Sequence, residues 1–233
     1  MTPPSTEAII AYLRQFVSDT RWNRFHEVLN ERTNHIRVVL ENVYQPHNSS
    51  AVLRSCDCFG IQNVHYLEGR NSMRIAPHVA MGSSNWLTLH KHNTTIHSTT
   101  SVLNELKDKG YRIIGTTPHT STTIHELPID QPFVLVFGSE KQGISEDVKS
   151  QADAYVKVPM YGFTESYNIS VSAALCLYEL TNRLRQSQIN YQLTLEEKNE
   201  VLLNWLYYTL DNCDLLVNRF IEEKQVRSNS ISQ

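Results

Sequence analysis

Apolar residues recur along this chain in two rhythms. Over the first thirty-odd residues the spacing is helical: Ile9, Ile10, Leu13 and Phe16 or Val17, then Trp22, Phe25, Val28 and Leu29, with Asp19 and Thr20 between them as helix-starting residues. From residue 35 the rhythm changes. Short apolar, β-branched runs predict strands over 35–43, 63–67, 86–89, 111–116, 132–137 and 154–160. Between them lie a helix over 48–59 that stops at Gly60 and a helix started by Ser98 or Thr99 that ends at Gly110. Strands separated by helices predict an α/β fold with a mainly parallel sheet. The continuous run Phe133-Val134-Leu135-Val136-Phe137 fits a strand buried on both faces. The last third is helical again. Ile169, Ala173, Cys176, Leu177, Leu180 and Leu184 form one stripe, and Thr194-Leu195-Glu196-Glu197 fits a capping box opening a helix with Leu202, Leu206 and Leu210. Asp211 or Asn212 ends that helix, and the polar tail from Val226 reads as frayed. The pattern divides into an N-terminal helical extension (1–34), an α/β domain (35–188) and a C-terminal helical extension (189–233).

Composition narrows the class. The 233 residues are 40% hydrophobic and 19% charged, as in a folded soluble chain. No apolar run reaches membrane-spanning length, and the first residues lack signal- or transit-peptide features, so the expected location is cytoplasmic. The four cysteines form no Cys-x-x-Cys pair, which predicts reduced, mostly buried thiols. His90, His92 and His97 read as loop-like and lack a third convincing ligand, so no metal is expected. A net charge of −3 does not announce a nucleic-acid binder. Phosphate contacts then depend on local clusters: Arg21, Arg24, Arg32 and Arg37; Arg70 and Arg74; Arg183 and Arg185. Each cluster reads equally well as a solvated helix face.

Three segments carry candidate chemistry. The strand 132–137 runs into Gly138-Ser139-Glu140-Lys141-Gln142-Gly143, a carboxylate bracketed by glycines where ligands of open α/β sheets bind. Asn48, Ala51 and Arg54 open a helix that ends at Phe59-Gly60. Val158-Pro159-Met160 leads through a spacer to Ser166-Tyr167-Asn168-Ile169-Ser170-Val171-Ser172. Taken singly, these are a strand-to-helix turn with Ser145 as cap, an Asn cap with a surface Arg, and a Ser/Asn capping pair. Taken together and in this order, they resemble the motifs of the SpoU/TrmH family of the SPOUT superfamily, the RNA ribose 2′-O-methyltransferases. The resemblance covers roughly residues 35–185.

What the resemblance implies is a deep trefoil knot in the C-terminal part of the sheet domain and S-adenosyl-L-methionine as methyl donor. It implies donor contacts at Thr116, Gly138, Ile144, Val158, Met160 and Ser166. Around the reacting hydroxyl it implies Arg54, Glu140, Asn168, Asn48 and Ser166, with Glu140 orienting Arg54 or Asn48. A guanidinium is effectively always protonated, so Arg54 is expected to clamp a phosphate and stabilise an oxyanion rather than act as base. Arg21, Arg24, Arg54, Arg183 and Arg185 are the implied RNA contacts. The helical arms resemble the tRNA-acting members, whose target is the D-loop guanosine at position 18. Methylation of rRNA or of another tRNA nucleotide, and a non-catalytic RNA-binding relative, stay open as alternatives. The family also implies a homodimer, with the helix over 168–186 as the interface unless its stripe packs on the sheet.

Overall fold

A computed structural model describes residues 4–69, 72–94 and 96–231, with side chains to residue 225. In chain order the elements are α1 (Thr6–Leu13), α2 (Asp19–Asn30), β1 (Ile36–Glu41), α3 (Pro46–Phe59), β2 (Asn63–Glu68), α4 (Pro77–Ala80) and β3 (Thr88–Asn93). There follow α5 (Thr99–Asp108), β4 (Arg112–Thr116), β5 (Phe133–Phe137), α6 (Glu146–Gln151), β6 (Ala154–Val156), α7 (Ile169–Gln186), α8 (Leu195–Thr209) and α9 (Cys213–Ile231). They form two compact units. One joins the chain up to Arg32 with the chain from Leu193 onward, so the two arms fold together; the other is Thr33–Gln192.

In the arm unit α1 packs on α8 and α9, and α2 on α8. Tyr12 stacks on Phe220 with centroids 4.7 Å apart, and Phe25 meets Trp205 at 5.6 Å. Arg32 is interior rather than phosphate-facing: it is 1% exposed, with its guanidinium 5.5 Å over the Trp205 ring. The capping box at Thr194 and Glu197 is present. Asn212 takes φ 55°, which breaks α8 from α9. Helix α9 runs to Ile231, and the last two residues of the tail expected to fray lie outside the described residues.

The second unit is a six-stranded sheet in the order β3-β2-β1-β5-β4-β6, with every pairing parallel. Central β5 is buried along its whole length, which explains its unbroken apolar run. On one face Ile36, Val38, Leu40, Phe133, Leu135 and Phe137 pack with Val52, Leu53 and Cys56 of α3 and with the buried stripe of α7. On the other, Val39, Leu67, Val134 and Val136 pack beneath Val102, Leu103 and Leu106 of α5. Gly60 closes α3 at φ 79° in the left-handed region.

Two expectations are corrected here. His90, Lys91 and His92 are not loop residues but lie in edge strand β3, whose half-exposed, polar sequence carries little strand signal. His65 and His90 stack at 4.3 Å, and His65 Nδ1 lies 3.1 Å from His92 Nε2. Strand β6 stops at Val156, short of Met160. Pro159 has no N–H to donate to a ladder, and the segment after β6 turns away to line a cavity instead. Cys56, Cys176 and Cys213 are buried and Cys58 is exposed. Arg70 lies outside the described residues.

Candidate active site

Three loops at one end of the Thr33–Gln192 unit enclose a cavity of about 560 Å³, within the range of small-molecule sites. One follows β4, one follows β5, and one joins β6 to α7. All six residues expected at the donor line it: Thr116, Gly138, Ile144, Val158, Met160 and Ser166. Glu140 and Asn168 line it as well, and so do His119, Lys157, Glu165 and Tyr167, which sequence reasoning did not single out.

The loop after β5 is held very tightly. Ser139 and Gly143 exchange backbone hydrogen bonds of 3.0 and 2.9 Å, with Gly143 at φ 67°. A Cβ at Gly138 would stand 2.1 Å from the carbonyl carbon and oxygen of Gly143, so no side chain fits there. The far end is anchored by Glu41, a 6% exposed carboxylate at the end of β1. It accepts from Ser145 N–H at 2.8 Å and from Ser145 Oγ at 2.5 Å. Burial raises the Glu41 pKa against the opposing effect of these bonds. A lone carboxylate at the end of an apolar strand was the signal that could have exposed this anchor.

The polar residues meet at the cavity edge. Asn48 is in the first turn of α3, which starts at Pro46, and is 3% exposed. Its Nδ2 donates to Glu140 Oε1 at 2.9 Å. Asn168 Nδ2 donates to Asn48 Oδ1 at 3.1 Å. Asn168 is also the N-cap of α7, with Oδ1 accepting from Ser170 N–H at 2.9 Å. The backbone N–H groups of Tyr44 and Gln45 donate to the same Glu140 carboxylate at 3.1 and 3.2 Å. Partial burial pushes the Glu140 pKa up, but the bond from Asn48 and those from the backbone together bring it below the ordinary carboxylate value.

That charge sets the direction of the whole relay. An ionised carboxylate only accepts, so Asn48 must turn its NH₂ toward Glu140 and its oxygen toward Asn168. Asn168 must then donate, which leaves its own oxygen to cap α7. Replacing Glu140 with Gln introduces a donor at the head of the relay and removes the charge. The expected result is a fall in turnover of about a hundredfold, from misplaced positioning groups, with donor affinity changed less than about threefold. Single-turnover kinetics and calorimetry with donor measure the two; equal losses in both would contradict the relay.

Of its two expected partners, Glu140 holds Asn48 and not Arg54. Arg54 is exposed, makes no hydrogen bond or ion pair among the described residues, and is not in the cavity wall. The helix explains why. Six residues past Asn48 is about 9 Å along α3 and about 120° around it, so the two side chains cannot share a carboxylate. The other arginines also differ from one another. Arg183 donates to the carbonyls of Ile124 and Leu127 at 3.0 and 2.8 Å, which braces the loop after β4. Arg185 is exposed and donates to Phe59 O at 3.1 Å. Arg24 pairs with Glu27 at 3.1 Å, and Arg21 is exposed.

Of the two expectations for α7, packing on the sheet is the one met by the stripe read from the sequence. The apolar stripe of α7 read from the sequence faces inward: Ala173, Cys176, Leu177, Leu180 and Leu184 are all at most 2% exposed. A second stripe, Val171, Leu175 and Tyr178, is 45%, 39% and 60% exposed. Among the described residues, no helix is long and apolar enough to cross a membrane.

Residues 35–178 match the SpoU rRNA Methylase family. A tRNA (guanosine(18)-2'-O)-methyltransferase of Borreliella burgdorferi is 38% identical over 210 residues, 90% of this chain and 94% of that protein. A protein of the same name from Aquifex aeolicus is 32% identical over 84% of this chain and 92% of its own length. The crystal structure of the A. aeolicus TrmH/SpoU tRNA modifying enzyme superposes with a TM-score of 0.73 at 30% identity, covering 83% of this chain and 98% of that one. With the family match spanning more than half its length, and Glu140 and Asn168 of two motifs at one cavity and joined through Asn48 of the third, the chain belongs to the SpoU rRNA methylase family.

Proposed function

We propose that this chain transfers a methyl group from S-adenosyl-L-methionine to the 2′-hydroxyl of a ribose in tRNA, at the D-loop guanosine at position 18. The observation that carries the reading is the Asn48–Glu140–Asn168 relay at the edge of a cavity lined by all six expected donor contacts. The names of the relatives at 38% and 32% identity, each matched over most of both chains, support the choice of substrate.

The residues present suit the donor. Ile144, Val158, Met160 and Ile169 offer apolar wall, Glu165 offers negative charge toward a sulfonium, and the glycine-bracketed loop lets backbone approach closely. The donor supplies a methyl group already activated by the positive sulfur, so the protein's task is the nucleophile. A ribose hydroxyl is barely ionised at neutral pH and must be aligned, relieved of its proton and stabilised as charge develops. Asn168 and Asn48 position it. Glu140, kept ionised, fixes the direction of both amides and is a weak base at neutral pH. Arg54 clamps a substrate phosphate and stabilises the developing oxyanion, while a phosphate oxygen or water takes the proton. Ser166 holds the ribose or the donor edge.

Exposed Arg21, Arg24 and Arg185 extend phosphate contact, and Arg183 stiffens the loop beside the cavity. The active form is a homodimer joined through the exposed Val171, Leu175 and Tyr178 stripe of α7. The three cavity loops belong to a deep trefoil knot, and the protein works in the cytoplasm, where tRNA is modified.

Unmodified tRNA transcripts incubated with labelled donor test the reading, with the product mapped by digestion and mass spectrometry. Label is expected on the D-loop guanosine, and a 2′-deoxy sugar there should abolish it. Label on a base, or none on tRNA, would overturn the assignment. Arg54→Lys keeps charge but loses the bidentate fork; a fall in turnover of roughly tenfold or more is expected, and full turnover with unchanged RNA affinity would remove the clamp.

A further inference from the structure

Three aromatic side chains beside the catalytic relay have no packing role. Tyr161 is 97% exposed and Phe163 is fully exposed. Both sit in the short segment between Met160 and Glu165, two residues that line the cavity. Tyr44, 68% exposed, precedes α3, and its backbone N–H donates to Glu140 of the relay. Neighbouring Tyr167 is different: it lines the cavity and its hydroxyl reaches Pro159 O at 3.3 Å, so it is already engaged. A ring such as Phe163 left in water gains nothing from burial in this fold. Lys141 and Lys157 line the same cavity and offer counter-charge to phosphates.

Rings that flank a site for a sugar hydroxyl suit one kind of ligand surface. The ribose of a loop nucleotide is reached only when the bases around it are splayed from their stack, and splayed bases are held by stacking on aromatic rings. We infer that Tyr44, Tyr161 and Phe163 form a stacking platform for the unpaired bases on either side of the target ribose. The inference rests on the RNA methyltransferase reading and adds how the loop is held in register with the relay. A ring accepts any base by its face, so this platform fixes the loop's shape more than its sequence, and the relay then acts on whichever ribose that shape presents.

The test uses the full chain and an unmodified tRNA transcript carrying 2-aminopurine beside the target guanosine. For Tyr161→Ala with Phe163→Ala, tRNA affinity should fall roughly tenfold or more, within the range of stacking losses, and the quenching of 2-aminopurine on binding should disappear. Donor affinity by calorimetry and molar mass by light scattering should stay as in the wild type. Tyr161→Phe with Phe163→Tyr should restore both tRNA affinity and quenching, and Tyr44→Ala should reduce them. Unchanged tRNA affinity would overturn the platform. So would a drop in molar mass, which would make these rings part of a protein interface, or a parallel loss of donor binding, which would make them part of the cavity wall. A wild-type protein that fails to methylate the transcript at all would instead overturn the function proposed above.

Discussion

Alanine at Gly138 is expected to abolish useful donor binding while the rest of the sheet survives. The new methyl carbon would lie 2.1 Å from the Gly143 carbonyl and 2.2 Å from the Ile144 nitrogen. Those are backbone atoms locked by the Ser139–Gly143 exchange, so no side chain can swing aside. The loop has to open, at a cost of about 3 kcal/mol, the upper part of the overpacking range. That opening moves the wall of the cavity, so donor affinity should fall about a hundredfold. Gly143→Ala is the matched control. Nothing lies within 4 Å of a Cβ there, and only φ +67° opposes it, a penalty of about 1–2 kcal/mol. Its donor affinity should drop less than about tenfold. Calorimetry with donor and thermal unfolding of both variants decide the matter; a Gly138→Ala protein that binds donor like wild type would mean the cavity is not the donor site.

Acid should destabilise the Thr33–Gln192 unit through its histidines, beginning near pH 6.5. His65 is 4% exposed, and burial, followed by the positive neighbours His90, Arg37, His92 and Lys109, pushes its pKa down to about 2. Burial first, then Arg37, His92 and Lys109, lowers His90 to about 4. His92 is lowered by burial and partly restored by Glu105, with His97 and Lys109 opposing. The folded state therefore stays unprotonated at His65 where the unfolded chain takes up a proton. Stability is complete above the unfolded pKa of about 6.5 and is lost as pH falls below it, by about 1.4 kcal/mol per unit for one such group. Between pH 6.5 and 4.5 His65 alone should remove about 2 kcal/mol. Urea-unfolding midpoints at pH 7.5, 5.5 and 4.5 should fall steeply in the wild type and less so in His65→Leu. The same slope in both proteins would assign the acid sensitivity elsewhere. His65 Nε2 is buried without a hydrogen-bond partner among the described residues, so the leucine variant is expected to be at least as stable as wild type at neutral pH.

The legible parts of this chain were those where local chemistry and tertiary context agree. Ser98, Ser145, Asn168 and Thr194 all cap the helices they precede, because a side-chain oxygen before an apolar helical pattern has an orphan N–H to satisfy in any fold. Central β5 was visible as an unbroken apolar run because both its faces are covered. Edge strand β3 was read only at its apolar start, within the strand expected over 86–89, since its later residues His90 to Asn93 are polar, part-exposed and match a loop as well. On α7 only the stronger of two apolar stripes was read. Helical spacing shows which residues share a face but not which face the sheet will take.

The order of elements, their caps and the residue types fit for methyl transfer were determined by the sequence alone, since each depends on neighbours within a few positions. Only the tertiary structure decided that β5 inserts between β1 and β4, that Glu140 holds Asn48 while Arg54 stays exposed on α3, and that Arg183 braces a loop. These depend on residues some 60 to 120 positions apart, and no spacing rule reaches that far. What joins them is the burial of apolar surface on both faces of the sheet, which is non-directional and so fixes partners only once the whole unit has closed.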